Sequence, residues 1–169
     1  MHIDLSLVPY EDKTILYHLI QLYEYDSSEF DGHVLSRHGL YGYKYLDHQW
    51  TEEHRRPFLV RVDGEIAGFA LVSLDVPKAY MKLSTAEKTN TIGEFFIMRK
   101  FRRKGVGKEV VFSLFQRFSG TWEVRQTIAN QPAYAFWKRV ISAYKGDESY
   151  QEALIQDQSW NGPVFVFRT

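Results

Sequence analysis

A basic, glycine-containing turn between an apolar segment and a helix is the feature that most constrains how this chain can fold. Residues 93–98 (Gly-Glu-Phe-Phe-Ile-Met) have the character of a buried strand, and cationic side chains cluster between Arg99 and Lys108. Gly105 and Gly107 lie within this cluster, and the residues after them are predicted to form a helix. Backbone N–H groups at a helix start have no intrahelical partner and carry partial positive charge. The segment therefore predicts a turn that binds phosphate.

Two commoner phosphate motifs do not fit this turn. A dinucleotide fingerprint needs a glycine where the chain has Val110, and a P-loop needs a glycine at Arg102 and Ser or Thr at Glu109. The pattern that remains, Arg102-x-x-Gly105-x-Gly107 after a strand, resembles the acetyl-CoA pyrophosphate loop of the GNAT superfamily of N-acetyltransferases. A second stretch, Asn-Gln-Pro-Ala-Tyr-Ala-Phe-Trp-Lys at 130–138, resembles the superfamily's Asn-x-x-Ala-x-x-Phe/Leu-Tyr motif.

Composition favours a single folded domain over residues 1–169. The chain has 169 residues, 44% of them hydrophobic, which is enough for a real core. Lys+Arg and Asp+Glu both number 21, so no overall charge recruits nucleic acid or a membrane surface. The chain has no cysteine, and its histidines and carboxylates lack metal-ligand spacing, so we predict no metal site. No apolar run is long enough to span a membrane, and we expect a cytoplasmic protein.

The predicted secondary structure follows the GNAT order of elements. We predict strands at 2–8, 57–62, 66–74, 91–98, 122–128, 150–155 and 164–167, and helices at 11–25, 106–118 and 132–144. The polar stretch 26–32 is predicted to break the first helix, and 76–90 to be a loop or short helical insertion. The resemblance implies an α/β (α+β) fold. Its mixed, mostly antiparallel central sheet splays between the fourth and fifth strands and carries helices on both faces.

The resemblance also implies where acetyl-CoA, the cosubstrate, would bind. Its pantetheine arm would bond to the main chain at the end of the fourth strand, and its pyrophosphate would meet the basic turn. The second motif would wall the other side of the opening. The residues so implied are Phe96, Ile97, Met98, Arg102, Arg103, Lys104, Gly105, Val106, Gly107, Lys108, Asn130, Ala133, Phe136 and Trp137.

Two residues are candidates for the catalytic steps. Glu94 is a carboxylate on an otherwise apolar strand, where partial desolvation would raise its pKa toward that of a useful base. It could instead anchor a substrate ammonium or be a structural carboxylate. The family motif usually has tyrosine at the position of Trp137, and an indole cannot deliver a proton to the departing thiolate. Either Tyr134 is that acid, or solvent protonates the thiolate and Tyr134 is a core aromatic.

The acceptor is the least determined part of the prediction. Tyr25, Asp26 and Glu29 combine acidic and aromatic side chains in a region that forms the substrate wall in this superfamily. Such a mixture suits a cationic amine, although it also suits a packing surface or a dimer contact. The sequence does not choose among polyamine, aminoglycoside, amino acid, peptide N-terminus and protein lysine.

These observations predict an enzyme that transfers acetyl from acetyl-CoA directly to a primary amine. The alternative is a non-catalytic acyl-CoA-binding sensor with the same fold, for which Trp137 is the best support. A nucleic-acid binder using the basic turn is disfavoured by zero net charge. Either a monomer or a homodimer is compatible with the sequence.

Overall fold

Seven strands form one sheet, in the order β1-β2-β3-β4-β5-β7-β6. The computed structural model describes residues 1–146 and 149–169. The strands are β1 (Ile3–Leu7), β2 (Arg55–Val62), β3 (Glu65–Pro77), β4 (Lys88–Ile97), β5 (Thr121–Arg125), β6 (Gln151–Gln156) and β7 (Asn161–Arg168). The α-helices are α1 (Lys13–Asp31), α2 (His48–Thr51), α3 (Val106–Arg117) and α4 (Gln131–Lys145).

The sheet opens between β4 and β5, as the family resemblance implies. These two strands are parallel and pair only at Asn90 with Trp122 and at Thr91 with Glu123. All other neighbouring strands are antiparallel. Beyond Thr91, β4 continues to Ile97 with β3 on one side and no β5 partner on the other. The fold class and the splay between the fourth and fifth strands are therefore confirmed.

Two apolar clusters hold the helices on opposite faces of the sheet. On one face, α1 residues such as Leu16 and Ile20 pack with Phe69 of β3. On the other face, α3 residues such as Val110 and Leu114 join a cluster with strand and α4 residues. These side chains are almost fully buried, and each contributes about 1.5–3 kcal/mol of hydrophobic stabilisation. The clusters fix α1 and α4 on either side of the opening in the sheet.

Three predicted boundaries are wrong. The polar run 26–32 does not break α1, because the hydroxyls of Ser27 and Ser28 bond to the carbonyl oxygens of Glu24 and Tyr25 within the helix. Gly32, with φ of 73°, ends the helix instead. The insertion at 76–90 is shorter than predicted, because β3 continues to Pro77 and β4 begins at Lys88; a 3-10 turn (Lys78–Tyr80) and a loop lie between them. The fifth strand ends three residues before the predicted bound, at Arg125.

A buried carboxylate stabilises the apex where β4 and β5 part. Glu123 is fully buried and accepts backbone N–H bonds from Lys82 at 2.9 Å, Leu83 at 2.9 Å and Ser84 at 2.7 Å. The guanidinium of Arg125 lies 3.5 Å from the same carboxylate. One side chain therefore orders the connection between β3 and β4, and nothing in the residue spacing indicates this contact.

Glu123→Gln is expected to lower the free energy of unfolding by about 2–4 kcal/mol. The amide loses the charge that strengthens three hydrogen bonds, and its NH₂ group faces backbone donors. Chemical denaturation measures the change. Glu87→Gln is the matched control, because Glu87 is exposed in the same connection. Equal stabilities for the two variants would contradict this role for Glu123.

Candidate active site

A cleft of about 940 Å³ lies in the opening of the sheet. The end of β4 and the basic turn form its floor, α4 forms one wall, and the C-terminal half of α1 forms the other. The residues of the two sequence motifs that line it are Phe96, Ile97, Arg102, Arg103, Gly105, Gly107, Lys108, Asn130, Ala133, Phe136 and Trp137. The fold thus brings together two motifs that are more than twenty positions apart in the chain.

The basic turn has the backbone geometry of an anion-binding helix start. Gly105 precedes α3 with φ of 86°, a left-handed conformation that glycine adopts without strain. Arg103 also has a positive φ, of 60°. The bond from Glu109 N–H to Gly105 carbonyl, 3.1 Å long, is the first of the helix. The N–H groups of Val106, Gly107 and Lys108 precede that bond, so they remain available to an anion.

Gly107 favours close packing beside the cleft. A Cβ atom at this position would lie 3.1 Å from the ring of Phe136 on α4 and 3.7 Å from Ile97. The absence of a side chain therefore lets α3 and α4 approach each other. It also keeps the start of α3 open toward the cleft.

Main-chain groups along the free edge of β4 alternate in direction. The N–H of Met98 donates to Ala67 of β3 at 2.8 Å, so Met98 faces β3 and is not free for a ligand. The main-chain N–H and C=O groups of successive strand residues point in alternate directions. Those of Phe96 therefore also point toward β3, and those of Phe95 and Ile97 point toward the opening. The Ile97 carbonyl accepts from Arg102 Nε at 2.6 Å. The predicted main-chain contacts thus shift from Phe96 and Met98 to Phe95 and Ile97.

Asp26 lines the cleft, but its carboxylate has partners that were not predicted. Its carboxylate accepts from the guanidinium of Arg99 at 2.8 and 3.1 Å and also from that of Arg102. Burial disfavours the ionised form, but these hydrogen bonds outweigh it and hold the pKa of Asp26 below its ordinary value. Asp26 therefore links α1 to the basic turn, and its charge is already compensated by two arginines rather than free for an amine.

The second motif places an amide and three apolar side chains on the far wall. The side-chain oxygen of Asn130 accepts from Ala133 N–H at 3.1 Å and caps α4. Phe95 of β4 stacks on Phe136, with ring centroids 5.7 Å apart, and also contacts Trp137 at 5.4 Å. Phe95 lines the cleft and was not among the predicted cofactor residues. Its alternation with Phe96 on the strand was the signal that could have found it.

Tyr134 has partners outside the cleft. Its hydroxyl donates to Glu152 Oε1 at 2.6 Å and accepts from Lys138 Nζ at 3.2 Å. Its ring stacks on Phe165 with centroids 6.0 Å apart. Tyr134 is not among the residues that line the cleft, so this geometry favours the core-aromatic alternative over the acid. Among the described residues, Tyr23 is the phenol that lines the cleft near Glu94.

Glu94 lies at an irregularity in β4. Leu71 of β3 pairs with Glu94 and Val72 pairs with Ile92, so Gly93 is an extra, bulged residue. The hydroxyl of Tyr23 donates to the Glu94 carboxylate. Burial raises the pKa of Glu94 to about 7, although hydrogen bonds from Tyr23 and Tyr43 oppose that rise. Burial and the neighbouring Glu94 raise the pKa of Tyr23, which therefore stays a neutral phenol.

Glu94 also borders a second, smaller cavity of about 190 Å³, which we call the side pocket. It lies over β3 and β4 beneath α2 and the segment before it. Its lining residues are Tyr43, Tyr45, Gln49, Arg55, Leu71, Ser73, Gly93 and Glu94. Because Tyr23 lines the cleft and contacts Glu94, the carboxylate lies between the cleft and the side pocket.

The two remaining acceptor candidates differ in position. Glu29 lines the cleft, whereas Tyr25 is exposed and is not among its lining residues. A group of side chains that could ligate a metal ion lies nearby. It consists of Glu24, Asp31 and His33, whose possible ligand atoms, one from each residue, lie within 4.8 Å of one another. His33 Nδ1 lies 2.9 Å from Glu24 Oε2, and this bond raises the pKa of His33. The grouping was not predicted, because the turn after α1 creates it.

No helix in the described part of the chain is long and apolar enough to cross a membrane.

Two structural neighbours are an acetyltransferase from Thermus thermophilus and a GNAT-family acetyltransferase from Streptococcus agalactiae. The first has a TM-score of 0.71 at 16% identity, over 100% of this chain and 98% of that one. The second has a TM-score of 0.66 at 12% identity, over 99% of this chain and 95% of that one.

The aminoglycoside acetyltransferase AAC(6')-Ib in complex with coenzyme A has a TM-score of 0.64 at 15% identity, over 99% of this chain and 95% of that one. At these identities the likenesses show the fold alone. A search of curated protein sequences gives no significant match. The model of the acetyltransferase (GNAT) family matches residues 19–141, well over half of the chain. The chain therefore belongs to the GNAT family of acetyltransferases, enzymes whose cosubstrate is acetyl-CoA.

Proposed function

We propose that this enzyme transfers the acetyl group of acetyl-CoA directly to a primary amine, with Glu94 as the general base. One observation carries the proposal. A carboxylate with a pKa raised to about 7 lies at the bulge of β4 and is hydrogen-bonded to a phenol that lines the cleft. A base with this pKa is half ionised near neutral pH, where an alkyl ammonium of pKa about 10.4 is almost wholly protonated.

The cleft offers contacts for two parts of the cosubstrate, the pyrophosphate and the pantetheine arm. The free N–H groups at the start of α3, with Arg103 and Lys108 beside them, suit the pyrophosphate. The outward main-chain groups of Phe95 and the outward N–H of Ile97 suit the amides of the pantetheine arm, which would bond to β4 as an added strand does. Arg102 is bound to Asp26 and the Ile97 carbonyl, so we assign it to holding the turn rather than the phosphate.

The reaction removes two protons from the acceptor ammonium, and one proton is delivered to the thiolate. Glu94 takes the first proton, and the freed nitrogen attacks the thioester carbonyl. The nitrogen of the tetrahedral intermediate then loses the second proton to solvent, and collapse of the intermediate breaks the C–S bond and releases CoA thiolate. A thiol with a pKa of about 8.5 leaves readily without an acid, so solvent protonation suffices. The chain has no cysteine, which excludes a cysteinyl acyl-enzyme.

The proposal predicts a specific pH profile. The kcat/KM for a simple amine is expected to rise about tenfold per pH unit below pH 7 and to level above it, because Glu94 must be ionised in the free enzyme. Thiol release from acetyl-CoA between pH 5.5 and 9, over a panel of primary amines, measures it. A kcat/KM that does not rise with pH up to about pH 7 would contradict the role of Glu94 as base.

The second candidate function is the acyl-CoA sensor. It is favoured by Trp137, which is buried against Phe95 and Phe136 where the family motif usually has tyrosine. Acetyl-CoA binding without transfer to any amine in the panel would support the sensor. Transfer to any of them would exclude it.

A further inference from the structure

A residue that lines the side pocket has a buried polar atom without a hydrogen-bond partner. Gln49 lines the pocket from α2 and is 2% exposed. Its Nε2 donates to the Tyr45 carbonyl at 3.3 Å, which fixes the orientation of the amide. Its Oε1 has no hydrogen-bond partner within residues 1–146 and 149–169. A buried acceptor left without a donor costs about 1–3 kcal/mol, so a bound donor at this point would be stabilised.

The lining of the side pocket combines hydrogen-bond acceptors with a cation. Gln49 Oε1 and the Glu94 carboxylate both accept, which suits an ammonium with its three N–H donors. Arg55 carries positive charge at the same pocket. Its Nε donates to Glu52 at 2.6 Å, and no acceptor in the described part of the chain bonds its terminal nitrogens. Those nitrogens can bind a carboxylate in the planar, two-point manner typical of arginine.

The positive charge of Arg55 in the side pocket argues against a polycationic acceptor. At the cleft, Asp26 is compensated by two arginines and the buried Glu24 is bonded to His33. This leaves Glu29 as the other acidic lining residue. A second ammonium entering the side pocket would meet the guanidinium of Arg55. The volume of about 190 Å³ corresponds to roughly six water molecules, so only a small group fits.

We propose that the side pocket is the acceptor site and binds a small zwitterion of the amino-acid type. The ammonium donates to Glu94 and Gln49, and the carboxylate accepts from Arg55. This assignment rests on the proposed acetyl transfer and names its acceptor class. It places the amine at the bulge of β4, beside the residue that takes its proton.

Binding and transfer are measured separately. Saturation-transfer NMR with the CoA-loaded enzyme compares glycine, L-alanine and L-serine with the matched amines methylamine, ethylamine and ethanolamine. At least one zwitterion is expected to bind about 10- to 100-fold more tightly than its amine, the range of a charge-assisted hydrogen bond. Arg55→Met is expected to bring that ratio near one, and Gln49→Leu to weaken the zwitterion.

Arg56→Met is the matched control, because Arg56 is the next residue and bonds to the carbonyls of Glu53 and Arg55 without lining the pocket. Thermal melting of each variant confirms that it folds. The pocket assignment is overturned if no zwitterion binds more tightly than its amine, if Arg55→Met leaves the ratio unchanged, or if putrescine binds more tightly than every zwitterion.

Thiol release with the same compounds separates the two proposals. Zwitterion binding without acetyl transfer to any compound would contradict the proposed function and, with it, the role of the side pocket as acceptor site. Acetyl transfer to amines without zwitterion binding would support the proposed function and overturn the pocket assignment.

Discussion

Gly105→Glu is expected to weaken acetyl-CoA binding by at least about 100-fold while leaving the protein folded. The new carboxylate would stand at the start of α3, where the free N–H groups and the basic side chains attract an anion. Placing like charges together at a binding site costs several kcal/mol. A Cβ atom at Gly105 meets no other atom within 4 Å, so the substitution causes no clash.

Gly64→Glu controls for backbone strain. Gly64 has φ of 83° against 86° for Gly105, is equally open, and lies in the β2–β3 hairpin outside the cleft. Titration calorimetry with acetyl-CoA on both variants and wild type isolates the effect of the charge. Equal losses in both variants would assign the defect to strain. Unchanged affinity in Gly105→Glu would show that the pyrophosphate does not bind at this turn.

The basic turn was predictable because its chemistry is local. Gly105 and the cations around it are close in sequence, and a strand before them with a helix after them leaves few possible geometries. The splay between β4 and β5 followed only from the resemblance, because no pattern in either strand shows that their pairing stops at Thr91 and Glu123. The splay of the sheet could be predicted only from the family resemblance, whereas the phosphate-binding turn could be predicted from its own residues.

The acceptor side was hard to predict for a physical reason. Asp26 has the composition of an amine-binding residue, but its charge is compensated by Arg99 and Arg102, which follow it by more than seventy positions. Gln49 and Arg55 gave no signal at all, because an unpaired amide oxygen becomes apparent only once packing has buried it. Compensation and burial are tertiary properties, so residue types near α1 could not show where the acceptor binds.

Glu94→Gln is expected to lower kcat/KM for the acceptor by about 10²–10⁴, the usual contribution of a general base. The rise in rate through pH 7 should disappear with it, because the amide does not titrate. Loss of folding is not expected to contribute. The pKa of Glu94 is raised from 4.5 to about 7, so its ionisation opposes folding increasingly from pH 4.5 to 7. At pH 8 the neutral amide should therefore melt no lower than wild type.

The three roles that the sequence left open for Glu94 give different results in this experiment. If Glu94 is the base, Glu94→Gln lowers kcat. Glu94→Asp keeps a carboxylate one methylene further from the amine, so it restores part of the rate and the rise of the rate up to about pH 7. An ammonium anchor mainly raises KM and leaves kcat close to wild type. A structural carboxylate lowers the melting temperature instead. Because Glu94 borders both the cleft-lining Tyr23 and the side pocket, only the first result agrees with a proton passing from the acceptor to this carboxylate.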